Sequence, residues 1–173
     1  MRGCRRLMIA IVLGLAMTGA PAAAQPASAP EPQTGPSGLP LPRFVSLDSG
    51  EANMRTGPGR RYPILWVYTR RGLPLEVTAE YGQWRRVRDS TGVEGWMHVS
   101  LLSGRRTVQI IGGNAVLRTD PHADAPPAIL AEDGAQGLLE TCRGDWCRIE
   151  MQDRDGWLPR TRFWGSHPGE PPQ

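Results

Sequence analysis

Three groups of side chains in this sequence could do chemistry: a cysteine pair, scattered histidines, and a run that mixes arginines with aromatic rings. Cys142 and Cys147 bracket Arg143-Gly144-Asp145-Trp146. If Gly144-Asp145 forms a two-residue hairpin, 143 faces 146 as a hydrogen-bonded pair and 142 faces 147 as the next pair out. That pair is non-hydrogen-bonded, with Cα atoms about 4.5–5.5 Å apart and so within disulfide range. The spacing is not Cys-x-x-Cys, which disfavours a redox pair, and two cysteines without nearby histidines make a poor metal site. His98, His122 and His167 lie at no metal-ligand spacing, and no Gly-x-Ser-x-Gly elbow or phosphate-cradling glycine-rich loop occurs. Acidic residues are too common to signal a carboxylate pair by themselves. The reading is therefore no enzyme, no catalytic residue, no metal and no cofactor, with a disulfide between Cys142 and Cys147.

The mixed run is Arg60-Arg61-Tyr62-Pro63-Ile64-Leu65-Trp66-Val67-Tyr68-Thr69-Arg70-Arg71. Arginine and aromatic side chains are the types enriched at binding hot spots. Tyr62, Trp66, Tyr68 and Arg60 are accordingly the candidate ligand-binding residues. Trp66 and Tyr68 suit a second role equally well, as packing within a domain or between domains.

The elements that must hold these groups are written twice. Ala52-Asn53-Met54-Arg55-Thr56-Gly57-Pro58 recurs as Ala115-Val116-Leu117-Arg118-Thr119-Asp120-Pro121. Gly82-Gln83-Trp84-Arg85-Arg86-Val87 recurs as Gly144-Asp145-Trp146-Cys147-Arg148-Ile149, and Gly95-Trp96-Met97 as Gly156-Trp157-Leu158. The offset runs from 63 at Arg55/Arg118 to 62 at Trp84/Trp146 and 61 at Trp96/Trp157. Two single-residue deletions in connecting loops account for that drift. Within each copy, strand-like runs such as Leu73–Glu80 alternate apolar and polar residues between glycine, proline and aspartate turn signals. Five or so short strands in each copy suggest a small, partly open β-barrel. The arginine-aromatic run of the first copy becomes Ala123-Asp124-Ala125-Pro126-Pro127-Ala128-Ile129-Leu130-Ala131-Glu132-Asp133 in the second. Recognition is therefore placed in the first.

The order Asn53-Met54-Arg55-Thr56-Gly57-Pro58, Tyr62-Pro63-Ile64, Gly72 with Val77, Gly82-Gln83-Trp84, Val87 and Gly95-Trp96 closely resembles the bacterial SH3-like (SH3b) family. Residues 114–165 resemble a second, more divergent member. The resemblance implies an all-β fold of two tandem small SH3-like β-barrels, over residues 43–104 and 105–165. It also implies a non-catalytic module attached to exported proteins, several relatives of which are implicated in binding cell-wall peptides.

Further expectations concern single positions. Trp84, Trp96, Trp146 and Trp157 are read as core or inter-strand packing, because small domains have few other large residues to bury. Gly95 and Gly156 allow a bulge or a close backbone approach. Arg55 and Arg118 are read as structural, their forks bonding backbone carbonyls. Glu80 and Arg85, the first-copy equivalents of the cysteines, should form a cross-strand ion pair. The apolar Leu101-Leu102 region is expected at a domain–domain interface.

Residues 1–24 read as a secretory signal: Arg2, Arg5 and Arg6, then an apolar run, then Ala22-Ala23-Ala24. The apolar run is short for a membrane span. Cys4 precedes that run, so cleavage discards it. Residues 25–42, rich in Pro, Ala and Ser, read as a disordered spacer, and 166–173 as a similar tail. Without the signal, seventeen arginines balance seventeen acids, which excludes a broad basic nucleic-acid surface. Residues 43–104 nevertheless carry nine Arg against six acids. The expected protein is a monomer, periplasmic or secreted, with no membrane span after cleavage. It recognises a peptidoglycan peptide or an envelope protein segment; the competing reading is a subunit regulating a wall hydrolase, or a hydrolase itself.

Overall fold

Short runs of alternating residues, interrupted every few positions by turn-forming ones, cannot build helices and must pair as strands. The structure, a computed structural model, describes residues 33–170; the signal-like segment and residues 25–32 of the spacer lie outside them. A small ladder joins β1 (Gln33–Thr34) to β2 (Pro40–Leu41). The first sheet follows: β3 (Arg43–Leu47), β4 (Ala52–Arg55), β5 (Ile64–Tyr68), β6 (Pro74–Tyr81), β7 (Trp84–Arg88), β8 (Glu94–His98) and β9 (Leu102–Ser103). The second comprises β10 (Thr107–Ile110), β11 (Ala115–Arg118), β12 (Pro127–Ala131), β13 (Gln136–Arg143), β14 (Trp146–Met151), β15 (Arg154–Pro159) and β16 (Phe163–Trp164). Strand order is β5-β4-β8-β7-β6-β3-β9 in one and β12-β11-β15-β14-β13-β10-β16 in the other. Each strand of the second sheet occupies the place of the strand seven earlier. The sequence repeat is thus a repeat of topology, and the all-β tandem reading holds. Among the described residues there is no α-helix, only single 3₁₀ turns at Val99–Leu101 and Arg160–Arg162.

Each sheet buries one face around its own core. Leu47, Ala52, Met54, Tyr68, Leu75, Val77, Val87 and Met97 form the first. Ile110, Ala115, Leu117, Ala131, Leu139, Ile149 and Leu158 stand at the matching places of the second. Trp84, Trp96 and Trp146 belong to neither cluster, which corrects the expectation drawn from their size; Trp157 alone is buried as expected. The two-residue period of a strand decides the matter. With Val87 and Met97 pointing inward, Trp84 and Trp96 must share the outer face with Arg86 and His98. There Trp84 pairs with His98 and Arg86 with Trp96, and the Trp84 ring meets His98 edge-on at 5.4 Å. Trp84, Trp96 and Trp146 are half-buried. Trp157 is buried, with the Arg143 guanidinium 5.0 Å from its ring.

The glycines before Trp96 and Trp157 serve a close approach. A Cβ on Gly95 would overlap Met54 and lie 2.9 Å from the Arg55 carbonyl oxygen; one on Gly156 would lie 2.7 Å from Leu117 Cβ. Here β4 meets β8 through the single pair Arg55–Trp96, and β11 meets β15 through Arg118–Trp157.

The β6–β7 and β13–β14 hairpins turn at Gly82-Gln83 and Gly144-Asp145. Their glycines have φ of 52° and 58°, as the first central position of a two-residue hairpin turn of this kind requires. Cys142 pairs with Cys147 in register, their Cα atoms 4.0 Å apart, and the disulfide is formed. In the first sheet Glu80 occupies the place of Cys142 opposite Arg85, and Arg85 Nε stands 3.2 Å from Glu80 Oε1 as an ion pair. The arginine's Nη1 donates instead to the carbonyls of Gly82 and Trp84.

Glu80 has a further role that the sequence does not announce. Its carboxylate accepts from the Ser37 amide and hydroxyl, each at 2.8 Å, and from Arg43 Nη2 at 2.7 Å. Residues 33–42, read above as spacer, are therefore a strap tied to the first sheet. The tail is likewise held: Arg106 donates to both oxygens of the Glu170 carboxylate, at 2.7 and 3.1 Å.

The two sheets touch, and Leu101 and Leu102 pack against the first core. Phe44, buried, meets the Trp164 ring edge-on at 5.1 Å and the His167 ring at 4.7 Å. Arg70 Nη1 donates to the Gly134 carbonyl and the Ser90 hydroxyl to Gln109 Oε1.

Burial pushes the Glu80 pKa up, and the Ser37 and Arg43 donors outweigh it, so the carboxyl sits below its ordinary value. A folded-state value below the unfolded one means stability that is complete above the ordinary carboxylate pKa and lost as pH falls through the folded value. The protection of the strap amides, measured as exchange relative to the intrinsic rate at each pH, should fall on acidification in that window, and Glu80→Gln should flatten the response. An unchanged pH profile in that variant would show that Glu80 does not tie the strap. Reducing Cys142–Cys147 should lower stability by less than about 2–4 kcal/mol, because the loop it closes is short. Urea unfolding with and without reductant measures the difference.

Candidate recognition strand

The loop from β4 to β5 is built by its own backbone. Arg55 Nη1 donates to the carbonyls of Tyr62 and Arg60, at 2.8 and 3.1 Å, and the Thr56 amide donates to the Pro63 carbonyl. The second copy repeats this, Arg118 Nη1 donating to the Ala125 carbonyl and the Thr119 amide to that of Pro126. The repeated arginine is thus a loop brace, as its chemistry suggested.

Within that braced loop the copies diverge. Tyr62 stands where the second copy has Ala125. Its ring lies over Gly57, where an added Cβ would come within 2.5 Å of the ring. The second copy has Asp120 there, with no ring to accommodate. The Arg61 guanidinium lies 5.3 Å from the centre of the Tyr62 ring. Tyr62 is half-buried and Arg60 exposed.

The strand that follows sits at the end of its sheet, paired among the described residues with β4 alone. Its register slips at Leu65, because Met54 faces Trp66 while Arg55 faces Ile64. Four consecutive bulky apolar residues are left open to solvent: Ile64 at 49%, Leu65 at 47%, Trp66 at 54% and Val67 at 44% exposure. In the matching β12 the exposed bulky residue is Leu130.

Tyr68 lies apart from the other candidates. It ends β5 on the inner face, buried in the first core, and its hydroxyl donates to Asp89 Oδ2 at 2.7 Å. Asp89 Oδ1 in turn accepts from the Thr91 hydroxyl and from the amides of Thr91 and Val93, organising the β7–β8 turn. Burial, and then the Asp89 carboxylate, push the tyrosine pKa up. Burial pushes Asp89 up as well, but its donors, Thr91 and Tyr68 foremost, bring it below the ordinary carboxylate range. The structure thus leaves Arg60, Tyr62 and Trp66 on or near the surface and gives Tyr68 a packing role. The residues that reading by type missed are Ile64, Leu65 and Val67. Their signal was present: a bulky apolar run with no polar alternation, between arginine pairs.

Among the described residues three of those four arginines, Arg60, Arg61 and Arg70, carry charge without an acidic partner. In the first domain Glu76 pairs with Arg88, Glu80 with Arg43 and Arg85, Glu94 with Arg86, and Asp48 with Arg71 at 3.8 Å. Among the described residues Arg60, Arg61 and Arg70 pair with no carboxylate. They flank β5 at both ends, and all are exposed. No group of three or more His, Cys, Asp or Glu that could hold a metal occurs among the described residues, and no helix there is long and apolar enough to cross a membrane.

Two sheets of identical strand order, each with an arginine-braced loop and an end strand beside it, define a tandem pair of small β modules. Residues 48–104 and 112–165 both match the bacterial SH3 domain model, and the chain belongs to that family. No curated protein gives a significant match. Similar solved structures include NlpC2 from Trichomonas vaginalis, 9% identical over 73% of this chain and 49% of that one, with a TM-score of 0.34. NlpC1 from the same organism is 11% identical over 73% and 46%, also at 0.34. An NlpC/P60 family protein from Bacillus cereus ATCC 10987 is 14% identical over 71% and 57%, at 0.32. The chain spans about half the length of these proteins, and likenesses this low bear on neither activity nor partners.

Tyr68→Phe removes one buried hydrogen bond and should destabilise the protein by about 1–2 kcal/mol in urea unfolding. It should leave ligand binding unchanged, in contrast to substitutions at Tyr62 or Trp66.

Proposed function

We propose that this protein is an exported, non-catalytic recognition module of the cell envelope, and that its first domain binds carboxylate-bearing peptides through Arg60, Tyr62 and Trp66. One observation carries the reading: an exposed apolar strand, Ile64–Val67, lies between Arg60 and Arg61 on one side and Arg70 on the other, none of which has an acidic partner among the described residues. Exposed apolar patches of this kind mark interaction sites. Aromatic anchors such as Tyr62 and Trp66 supply binding energy, while arginine forks select carboxylates. The second domain, with alanine, proline and acid in the matching segment, serves as scaffold. Cell-wall stem peptides and acidic segments of envelope proteins both present such carboxylates. Export, inferred from residues 1–24, places the protein in the periplasm or outside the cell, where either is found.

The chain lacking residues 1–24 should co-sediment with purified peptidoglycan or be retained by immobilised envelope proteins, and Tyr62→Ala/Trp66→Ala should abolish that retention while unfolding at a similar urea concentration. Equal retention of the folded double variant would rule out this surface. Release of soluble products from peptidoglycan by the purified protein would overturn the non-catalytic reading.

A further inference from the structure

An end strand with four exposed bulky apolar residues is a hazard that proteins ordinarily suppress with charge, proline or a cover. Here the hazard is retained, and the charges stand beside it rather than on it. Arg60 and Arg61 precede β5, Arg70 and Arg71 follow it, and all four are exposed. Backbone groups along the free edge of such a strand are open to a further ladder, whose main-chain bonds give affinity and whose side-chain pockets give specificity.

The flanking charge also decides which strand fits. A second copy of β5 laid antiparallel would bring Arg60 and Arg61 against Arg70 and Arg71 of the other copy. A parallel copy would set each arginine pair beside its twin. Like charges opposite one another on paired strands are destabilising, so either self-pairing is disfavoured. The chain's own residues 25–32 read Gln-Pro-Ala-Ser-Ala-Pro-Glu-Pro, and three prolines in eight residues remove the donors a ladder needs. The complementary occupant carries acid at both ends and an extended, β-forming centre.

We propose that the free edge of β5 takes up an extended segment of another protein, acidic at both flanks, as an added strand of the first sheet. This rests on the reading of the first domain as the recognition surface and narrows its ligand from carboxylate-bearing peptides in general to an L-polypeptide about five residues long at its centre. A stem peptide, short and of mixed chirality, cannot continue such a ladder.

The test uses the full chain lacking residues 1–24 and the synthetic peptide Glu-Glu-Val-Thr-Val-Thr-Val-Glu-Glu. Two further forms are methylated at alternate backbone amides, one on each parity, and a third replaces glutamate with arginine. Fluorescence anisotropy should give saturable binding of the acidic peptide. Methylation on one parity should weaken it by about tenfold or more while the other parity is nearly silent, and the arginine form should bind about tenfold more weakly or not at all. No saturable binding, or equal loss on both parities, overturns strand addition. Concentration-dependent dimers of the free protein that Trp66→Ala dissolves would assign the edge to a second copy and overturn it too. Peptidoglycan co-sedimentation without peptide binding would sink this inference and leave the proposed function standing. Neither binding peptidoglycan, nor envelope proteins, nor the peptide would sink both.

Discussion

Each seven-stranded sheet depends on one short junction, where the β4–β5 ribbon joins the remaining strands through the pair Arg55–Trp96. The second sheet makes the same join through Arg118–Trp157. So close a crossing needs a missing side chain, and Gly95 and Gly156 supply it at the point where a Cβ would strike the residue below. The arginine of the pair turns its fork along the following loop and holds its carbonyls. The shape of the loop and the place of the end strand beside it both follow from this junction. It explains why Arg-Thr and Gly-Trp survive in both copies while most loop residues do not.

Elsewhere the two copies solve the same packing problem with different chemistry. Tyr68 and Asp89, joined by a buried hydrogen bond, stand where the second core has Ala131 and Met151. The first solution satisfies a buried hydroxyl and ties a turn; the second removes both polar groups, which costs nothing if both leave together. Leu75, two residues before the Val77 that faces Val87, becomes Gly137, and a Cβ on Gly137 would overlap Ile149, the counterpart of Val87. Volume lost on one strand is regained on its neighbour, as close packing demands. The Glu80–Arg85 ion pair becomes the Cys142–Cys147 bond. Glu80 cannot be exchanged so freely, because it also receives Ser37 and Arg43.

This division of labour bears on function. The second domain carries a covalent staple, an apolar core without the Tyr–Asp pair, and a tail bound back through Arg106 and Glu170. The first carries the strap, the excess arginine and the exposed strand. Contacts of Phe44 with Trp164 and His167 join the two.

The sequence by itself determined the repeat, the strand character, the hairpin that pairs Cys142 with Cys147, and the structural role of Arg55. Each follows from local rules: turn residues set register, and a period of two sets the face. It also marked the segment from Arg60 to Arg71 as the place where the copies differ. Only the tertiary structure decided which aromatic rings were available. Tyr68 and Trp66 share one strand face, yet the first is in the core and the second, two residues nearer the β4–β5 loop, is open to solvent. Size argues for burial of the tryptophans, whereas parity against Val87 and Met97 assigns Trp84 and Trp96 to the outer face; Trp157 alone is buried. The strap at residues 33–42 has the composition of a spacer, and what orders it is a carboxylate more than forty residues away in the chain. Long-range contacts of that kind leave no periodicity to read.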